Sequence, residues 1–548
     1  MLFKRIKIFL LFVIIASFYS LVFPAPHISG KYLKGQPKDK VRPLPNVSHL
    51  RRRGAPSIEI AKTLGTVGTK KIAVIIVYFP DQSFSTGWTT TVNNTFQKLK
   101  EYYNEVSYGK LNLEVTFFYP GVSTTTLTSA ATAYKLNKFM WQYGKDTYES
   151  LSDLVKDAIN TTSGAVKHKS VGGSFDYVMV LHAGVGNEST DDMDTIWSVY
   201  VPWETPVNGF TDGTIVPEKE ENGFSPVGVT CHEFGHQLGL PDLYYPDESG
   251  NQHSRVGKWC LMDYGVWLGS PYGSSPAHIS AWCKHFLGWA DVTIVTSTIK
   301  NVNLFYCETN NNFIKVPVLE ELSSNNKEYF LLEYRKKVSY DSYIPQEGVL
   351  IWRIDDNIAS DQTRLANNDI NSGSPHYGVD LIEADKIETY YEGGSHGDSG
   401  DPFPGNTNAT DFSTTEYGIK SYYTNEFFPL AVNNISLSPN YASFNILYGY
   451  ELRQLVKGEV VIGNNYTTAG KLMLLGFNID TPQEVEICVY DIAGNLVKRF
   501  EKQTYPAGNN QIQWFGIDDY GNKLSPGLYF TSFKIGNNIK IEKFVIKR

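Results

Sequence analysis

The sequence predicts a protein of several domains: an α+β domain, then a β-rich domain, and last a β-sandwich. At 548 residues the chain is too long for one ordinary domain, and its apolar content of 42% is sufficient for globular cores. Strand and helix patterns alternate in the first part of the chain, and short strands between Asn, Asp, Gly and Ser turns follow. We therefore expect domains at 66–300, 301–450 and 455–548.

The α+β assignment rests on four segments of the first domain. Residues 71–79 and 177–181 are short, β-branched apolar runs, which are typical of buried strands. Residues 96–106 and 148–159 carry apolar side chains at helical spacing. Strands that alternate with helices indicate an α/β or α+β domain.

The later segments favour β structure. The clearest strands of the second domain are 328–334 and 348–354. The last domain has four short strands between Gly and Asn turns, and their spacing predicts an Ig-like β-sandwich. These strands are 485–490, 511–514, 527–530 and 539–546.

Residues 1–25 have the pattern of a secretory signal peptide. Lys4, Arg5 and Lys7 precede an apolar run over 8–23, and Ala25 supplies a small residue near the cleavage site. The run is short for a membrane span, which needs roughly 20 apolar residues. An uncleaved membrane anchor is the alternative. We expect a secreted protein, either extracellular or at the cell surface.

A polar and mostly basic segment follows at 26–65. It is rich in Pro, Gly and Lys and contains the triplet Arg51-Arg52-Arg53. This composition predicts a linker or a short propeptide, with the triplet as a candidate processing site. The segment has no cysteine, which excludes inhibition by a cysteine latch.

Charge and cysteine content exclude two kinds of protein. The chain has 49 basic and 57 acidic residues and no basic stripe with interleaved aromatic residues, so we expect no nucleic-acid partner. Five cysteines are too few for a disulfide framework, and the odd number leaves at least one thiol unpaired within the chain. One bridge among Cys231, Cys260 and Cys283 is an option.

The run His232-Glu233-Phe234-Gly235-His236 indicates the chemistry. On a helix, His232 and His236 project from the same face and can bind one Zn²⁺. Glu233 can reach a water at the metal and act as its general base. This pattern predicts a zinc-dependent hydrolase, and the apolar flanking residues argue against a surface helix with two chance histidines.

The third zinc ligand is expected just beyond the helix. Gly239 allows a left-handed turn that ends the helix, and the chain can then return and present Asp242. His253 and Glu248 are the rivals for this position. Three protein ligands leave one position open, as catalytic zinc requires.

Met262 and Tyr264 are two further candidates. A Met on a tight turn beneath the zinc histidines is typical of metzincin-type peptidases, and Met262 in the segment 261–265 suits that position. Tyr264 stands two residues later and is a candidate catalytic residue, because its hydroxyl could donate to the oxyanion.

At this point the sequence resembles the immune inhibitor A family of secreted bacterial metallopeptidases. The resemblance covers roughly residues 65 to 445, and the segments that carry it, besides the zinc run, are 103–111, 196–197, 257–262, 276–284, 287–289, 348–355 and 397–405. It implies a metzincin-like catalytic domain with His232, His236 and Asp242 on zinc and Glu233 as base. It also implies extracellular proteolysis and structural calcium. Arg353 departs from the family pattern, which has His there.

Two acidic segments are candidate calcium ligands. Asp398 and Asp401 lie in a Gly-rich turn, and Asp355 and Asp356 form another pair. Carboxylate oxygens on flexible loops suit Ca²⁺. Solvated turn residues are the alternative interpretation.

The tail, about 457–548, resembles the Ig-like module of flagellar hook-capping proteins and the related C-terminal sorting domains of secreted bacterial proteins. The likeness lies in 489–497, 514–518 and 527–530. Such modules direct secretion or hold an enzyme at a surface, so contact with a cell surface or with secretion machinery is expected.

The function predicted from these observations is a secreted zinc endopeptidase that hydrolyses peptide bonds of extracellular proteins. We expect a monomer that acts on protein or peptide substrates. The alternative is a surface adhesion or binding protein that uses an inactive peptidase-like scaffold. The intact Glu233 and both histidines argue against that alternative.

Overall fold

The computed structural model describes residues 57–547, apart from internal stretches at 145–146, 191, 193, 247–251, 319–326, 373–375, 388–395, 424–427, 429, 449–456, 464 and 471–472. The predicted signal peptide and the Arg51-Arg52-Arg53 triplet lie outside the described residues. The end of the predicted linker or propeptide lies within them and forms a helix, whose Ala61 and Leu64 are buried in the core.

The first part of the chain is built on a seven-stranded sheet. Its strands are β1 Gly68–Tyr78, β2 Leu111–Tyr119, β3 Val122–Thr124, β4 Tyr134–Lys135, β5 Tyr177–Val185, β6 Val199–Val207 and β7 Phe210–Lys219. β1 pairs in parallel with β2, β4 and β5, β5 pairs in parallel with β7, and β6 is an antiparallel edge strand beside β7. β1 is buried on both faces from Ile72 to Val77, which explains why this run is apolar without alternation.

Described α-helices lie on both faces of this sheet, and others follow later in the chain. They are α1 Ser57–Leu64, α2 Trp88–Val106, α3 Met140–Tyr143, α4 Tyr148–Thr161, α5 Val227–Gln237, α6 Ala281–Phe286, α7 Asp356–Ala359 and α8 Gln362–Ala366. The predicted helices at 96–106 and 148–159 are confirmed within α2 and α4, although α2 begins earlier, at Trp88. Among these helices none combines the length and apolarity that a membrane span requires.

The side chains of β1 alternate between two cores. Ile72, Val74 and Ile76 pack in one hydrophobic cluster with the apolar residues of α2 and α5. Ala73, Ile75 and Val77 point to the other face and pack in a second cluster with those of α4. The sheet is therefore the middle of three layers, and α5 lies in the same layer as α2.

The middle part of the chain forms two further sheets. One contains β10 Asp291–Ile294, β12 Asn312–Pro317, β13 Glu328–Arg335, β14 Gly348–Asp355 and β15 Val379–Ile382, and the other contains β11 Ile299–Phe305, β16 Phe412–Ser413, β17 Leu430–Leu437 and β18 Tyr441–Tyr448. The short strands β8 Tyr245–Pro246 and β9 Gln252–His253 form a separate pair. The predicted strands at 328–334 and 348–354 are confirmed as β13 and β14.

Alternating residues of β13 and β14 join this middle part to the first. Phe330 and Leu332 pack between the two β-sheets of the middle part. Their neighbours Tyr329 and Leu331 face the opposite way and belong to the same core as α2 and α5. One hydrophobic core therefore joins residues on both sides of the predicted boundary at 300, while the division into domains stays a prediction.

A buried arginine reinforces this junction. Arg335, at the end of β13, donates from Nε to Asp341 Oδ2 over 2.6 Å and from Nη2 to Asp341 Oδ1 over 2.8 Å. Its Nη1 donates to the carbonyl oxygen of Trp259 over 3.2 Å. Burial raises the pKa of Asp341, but the Arg335 guanidinium outweighs it and holds that pKa well below its usual range. The pair therefore fixes the chain just before residues 260–264.

The end of the chain is a two-sheet sandwich. One sheet contains β19 Val460–Gly463, β21 Met473–Ile479 and β25 Gly508–Trp514, and the other contains β20 Tyr466–Thr468, β22 Gln483–Asp491, β23 Leu496–Arg499, β24 Gln503–Tyr505, β26 Gly527–Ile535 and β27 Asn538–Lys547. Apolar residues of both sheets form one core. All four strands predicted here are present.

Short 3-10 helices complete the described backbone. They are Lys169–Val171, Asn187–Ser189, Glu221–Gly223, Gly257–Trp259, Tyr264–Trp267 and Ser339–Tyr343. The predicted fold class is confirmed: an α+β part, a β-rich part and a C-terminal β-sandwich follow one another along the chain.

Candidate metal centre

Helix α5 carries the residues predicted to bind zinc. All of its side chains are buried, which agrees with its apolar flanks. The helix ends as the sequence predicts: Gly239 has φ 95°, and the Leu240 N–H donates to the Gly235 carbonyl oxygen over 3.1 Å. A glycine in this left-handed position closes the helix and turns the chain back toward it.

The two histidines of α5 are oriented by backbone carbonyl oxygens. His232 Nδ1 donates to Leu261 O over 2.9 Å, and His236 Nδ1 donates to Leu240 O over 2.8 Å. Because a carbonyl oxygen only accepts, each Nδ1 carries the proton and each Nε2 presents its lone pair. The two rings lie 4.9 Å apart, edge to face. This is the tautomer and orientation that a metal-binding histidine needs.

Asp242 completes the group. Its Oδ1 lies 3.1 Å from His232 Nε2 and 3.4 Å from His236 Nε2, and its side chain is 1% exposed. The structure therefore brings Asp242 to the predicted position. Its rival His253 stacks on Tyr245 instead, and Glu248 lies outside the described residues.

Glu233 lies beside these atoms. One of its carboxylate oxygens is within 4.8 Å of ligand atoms of His232 and His236, and its side chain is buried. His232 Nε2 and Asp242 Oδ1 have no hydrogen-bond partner among the described residues. Buried acceptor atoms aimed at one point are costly unless a cation satisfies them. Two imidazole nitrogens and a carboxylate oxygen are a donor set that fits Zn²⁺.

Met262 lies against the helix that carries the two histidines. A Cβ added to Gly235, which precedes His236, would lie 2.8 Å from Met262 Sδ and 3.3 Å from the Tyr103 hydroxyl. The Met262 carbonyl oxygen accepts from Leu243 N over 2.8 Å, which ties this turn to the segment that carries Asp242. The helix therefore needs a glycine here because the methionine sulfur and the tyrosine approach its backbone.

Three tyrosines near this segment are candidate oxyanion donors. Tyr264 lies in the 3-10 helix after Met262, and its ring stacks on His396 at 3.8 Å. The rings of Tyr200, on edge strand β6, and of Tyr244 lie 6.2 Å from His236 and 6.5 Å from His232, respectively. Sequence reasoning missed Tyr200 and Tyr244. The position of Tyr244 two residues after Asp242 was the available signal.

Another residue that sequence reasoning missed is Asn368. Its side-chain Oδ1 accepts from the Asp242 backbone N–H over 2.7 Å, and its Nδ2 donates to Asp242 Oδ2 over 2.6 Å. It lies 126 residues farther along the chain, so no local pattern connects the two.

The predicted calcium ligands have different surroundings. Asp398 and Asp401 lie together with Asp385, with one ligand atom of each within 4.8 Å of the others. Asp355 instead accepts from His376 over 2.6 Å and from the Tyr423 hydroxyl over 2.7 Å. Asp356 accepts from the Tyr329 hydroxyl over 3.0 Å.

Arg353 and the five cysteines contact other residues of the protein interior and are not part of the group around His232. The Arg353 guanidinium lies 3.5 Å over the ring of Tyr422 and donates to Glu328 over 2.9 Å. All five cysteines are buried free thiols, and the sulfurs of Cys260 and Cys283 lie 4.0 Å apart.

The segment that contains this site is similar to a known protein family. Residues 76–290 match the family model described as immune inhibitor A peptidase M6, catalytic domain. The predicted resemblance is confirmed. The chain combines this peptidase M6 domain, which contains His232, Glu233, His236 and Asp242, with an FlgD Ig-like domain matched at 463–536. The match to the family model ends at residue 290, so the resemblance inferred at 348–355 and 397–405 stays a prediction.

Two curated relatives are similar to part of this chain. Immune inhibitor A of Bacillus thuringiensis subsp. alesti is 29% identical over 247 residues, a match that covers 36% of this chain and 34% of that protein. The pre-pro-metalloprotease PrtV of Vibrio cholerae serotype O1 is 26% identical over 241 residues, and this match covers 38% of this chain and 26% of that protein. The chain thus spans about a third or less of the length of these relatives.

Among the solved structures that match part of this chain is a flagellar protein. FlgD of P. aeruginosa is 23% identical, with a TM-score of 0.13, and the match covers 16% of this chain and 72% of that one.

The contact between Gly235 and Met262 generates a prediction about stability. Alanine favours a helix over glycine by about 1 kcal/mol, but the added methyl group would press on the Met262 sulfur. Overpacking costs about 1–3 kcal/mol, so Gly235→Ala should lower the free energy of unfolding. In the Met262→Ala background the same change should do less harm or stabilise. Urea unfolding of the four proteins measures this coupling, and additive effects would contradict it.

Proposed function

We propose that this chain is a secreted zinc endopeptidase that hydrolyses peptide bonds of extracellular proteins. The observation that carries the proposal is the convergence of His232 Nε2, His236 Nε2 and Asp242 Oδ1, all buried, beside the carboxylate of Glu233. The peptidase M6 domain supports a metallopeptidase. The ligands, the base, the secreted location and the substrates belong to the proposal.

His232, His236 and Asp242 would hold the ion, which leaves Glu233 to move protons. The ion supplies Lewis acidity, which polarises the scissile carbonyl and makes a water molecule easier to deprotonate. Glu233 takes a proton from the attacking water and passes it to the nitrogen of the leaving amine. Its position one residue after His232 on the same helix keeps the carboxylate near the ligand atoms throughout.

Tyr264 is the proposed oxyanion donor. The stack on His396 fixes the plane of its ring, and burial lowers the pKa of His396 to about 4, so that the stacked imidazole is neutral near pH 7. A phenol held in one orientation can donate to the developing oxyanion without reorganising. Tyr200 and Tyr244 are the rivals for this role because of their distances to the histidines.

Calcium binding is a separate proposal, at Asp385, Asp398 and Asp401. Burial raises the pKa of Asp401 to about 7, and Asp398 and Asp385 add to this effect. Trp259 Nε1 donates to Asp401 Oδ2 over 2.7 Å, so the acidic turn is joined to the segment before Met262. A divalent cation among these carboxylates would hold that junction.

The C-terminal sandwich is proposed to determine where the enzyme acts. An FlgD-like Ig domain after a peptidase suits attachment to a surface or passage through secretion machinery, and the monomer remains our expectation. The alternative function, an adhesion protein with an inactive scaffold, would require that the site binds metal without turnover.

The proposed base gives the first prediction about activity. Glu233→Gln has the same size and lacks the basic carboxylate, so it should keep its zinc and lose at least about 100-fold in hydrolysis of a denatured protein. His236→Ala should lose both. Zinc content and cleavage are measured on the purified full-length protein, before and after trimming near Arg53. If the wild type and Glu233→Gln both bind zinc and neither cleaves, the scaffold alternative replaces the peptidase.

The tyrosine assignment gives a second prediction. Tyr264→Phe keeps the ring stacked on His396 and removes only the hydroxyl, so kcat should fall about 100-fold while KM changes little. Tyr200→Phe and Tyr244→Phe are the matched variants. A larger loss of kcat in either of them would transfer the role to that residue.

The calcium proposal gives a third prediction. Without a cation, the folded protein keeps a proton on Asp401 between about pH 4 and pH 7 that the unfolded chain has lost, so this carboxyl lowers stability as the pH rises through that window. Because Ca²⁺ needs the ionised form, it should raise the thermal midpoint more at about pH 8 than at about pH 6. Asp401→Asn should abolish the effect and Asp356→Asn should not. Equal responses in all three proteins would argue against the site.

A further inference from the structure

The side chain of Asn368 grips the predicted ligand Asp242 at two points. The Asp242 backbone N–H donates to Asn368 Oδ1 over 2.7 Å, and Asn368 Nδ2 donates to Asp242 Oδ2 over 2.6 Å. Because a backbone N–H can only donate, the atom that faces it must be the amide oxygen, and the NH₂ group must face the carboxylate. One amide therefore fixes both the backbone and the side chain of Asp242.

This grip decides which carboxylate oxygen faces the histidines. Oδ2 is engaged by Asn368, while Oδ1 lies 3.1 Å and 3.4 Å from the two Nε2 atoms. Without the amide, rotation of the carboxylate about its bond to Cβ would no longer be fixed on the Oδ2 side. A ligand held in one orientation binds its metal without losing that freedom.

Asn368 is itself held rigidly. It is 2% exposed and has φ 55°, a left-handed conformation that Asn tolerates better than most residues. Its N–H donates to the Leu365 carbonyl oxygen at the end of α8 over 3.2 Å. The next apolar residue, Ile370, is fully buried, and its carbonyl oxygen accepts from Gly378 N over 3.0 Å. The loop is therefore anchored in the core and to the chain that leads into β15.

A second asparagine of the same loop binds the neighbouring residue. Asn371 Nδ2 donates to the Leu243 carbonyl oxygen over 2.9 Å and also to the Val379 carbonyl oxygen over 2.9 Å. It holds the backbone beside Asp242 without contacting the carboxylate in these bonds. The two asparagines thus differ in one respect that matters: only Asn368 touches the ligand group.

We propose that Asn368 is a positioning residue for the metal ligand Asp242. The metal centre is then completed by a loop of the β-rich part, 78 positions beyond the end of the peptidase M6 match at 290. This inference rests on the proposed function, because it gives Asp242 the role of a zinc ligand. It adds that zinc affinity depends on a side chain outside the matched domain.

The test compares glycine variants of the two asparagines in the full-length protein. Asn368→Gly accepts the left-handed backbone and deletes the grip on Asp242, whereas Asn371→Gly deletes the matched hold on Leu243. Zinc affinity is measured by competition with a chelator, and folding by circular dichroism and thermal unfolding of the zinc-free proteins. Removing a partner that orients a metal ligand typically weakens affinity about 10–100-fold. We expect that loss in Asn368→Gly and less than about threefold in Asn371→Gly.

A second variant, Asn368→Ser, separates a loss of zinc affinity from a folding defect. Serine occurs at φ 50° elsewhere in this protein, at Ser163 and Ser339, so the backbone tolerates it. Its hydroxyl is too short to accept from the Asp242 amide and donate to the carboxylate at once, so its zinc affinity should fall between those of wild type and Asn368→Gly. Folded Asn368 variants that bind zinc as tightly as Asn371→Gly would overturn the proposal. A wild type that binds no zinc would instead overturn the proposed function itself.

Discussion

Two imidazole nitrogens and one carboxylate oxygen converge inside the protein, and the arrangement of the surrounding elements follows from holding them there. A buried acceptor without a donor costs about 1–3 kcal/mol, so the exposure of His232 Nε2 and Asp242 Oδ1 to this point lowers the stability of the metal-free fold. A bound cation would offset this loss of folding free energy, because the free energy of metal binding then contributes to folding. Asp242 is the residue on which the group depends, because its Oδ1 lies near both histidines.

Neighbouring segments hold this group through contacts of both backbone and side chains. Carbonyl oxygens of Leu261 and Leu240 orient the histidines, and the sulfur of Met262 supports the helix at Gly235. The buried Arg335 anchors the chain before Met262 through the Trp259 carbonyl oxygen. A site made on rigid, buried elements keeps its geometry before the metal arrives, which is what preorganisation requires.

Sequence reasoning located those parts of the site that lie within one helix and its turn. His232 and His236 are four residues apart on α5, and Gly239 ends that helix and brings Asp242 back. Asn368 could not be predicted, because 126 residues separate it from Asp242 and only the tertiary fold brings them together. Tyr264 was singled out by its place after Met262, whereas the nearness of Tyr200 to His236 depends on how edge strand β6 pairs.

The fold shows the same division between local and distant information. The apolar run of β1 and the spacing in α4 were sufficient to predict these elements. The start of α2 was missed because residues 88–95 are rich in Thr and Asn, which have low helix propensity. Burial of Thr89, Val92 and Thr95 against the core outweighs that propensity. The packing of β13 and α5 in one core also depends on tertiary contacts, and no local sequence pattern predicts it.

X-ray absorption at the zinc edge of the purified, zinc-loaded protein tests the metal centre most directly. His232, His236 and Asp242 should give two imidazole nitrogens at about 2.0–2.1 Å and a carboxylate oxygen at about 2.0–2.2 Å, with one further light atom from solvent. Asp242→Ala should remove the carboxylate contribution and keep the two imidazoles. A spectrum with a different number of histidines, or one that Asp242→Ala leaves unchanged, would contradict the proposed centre.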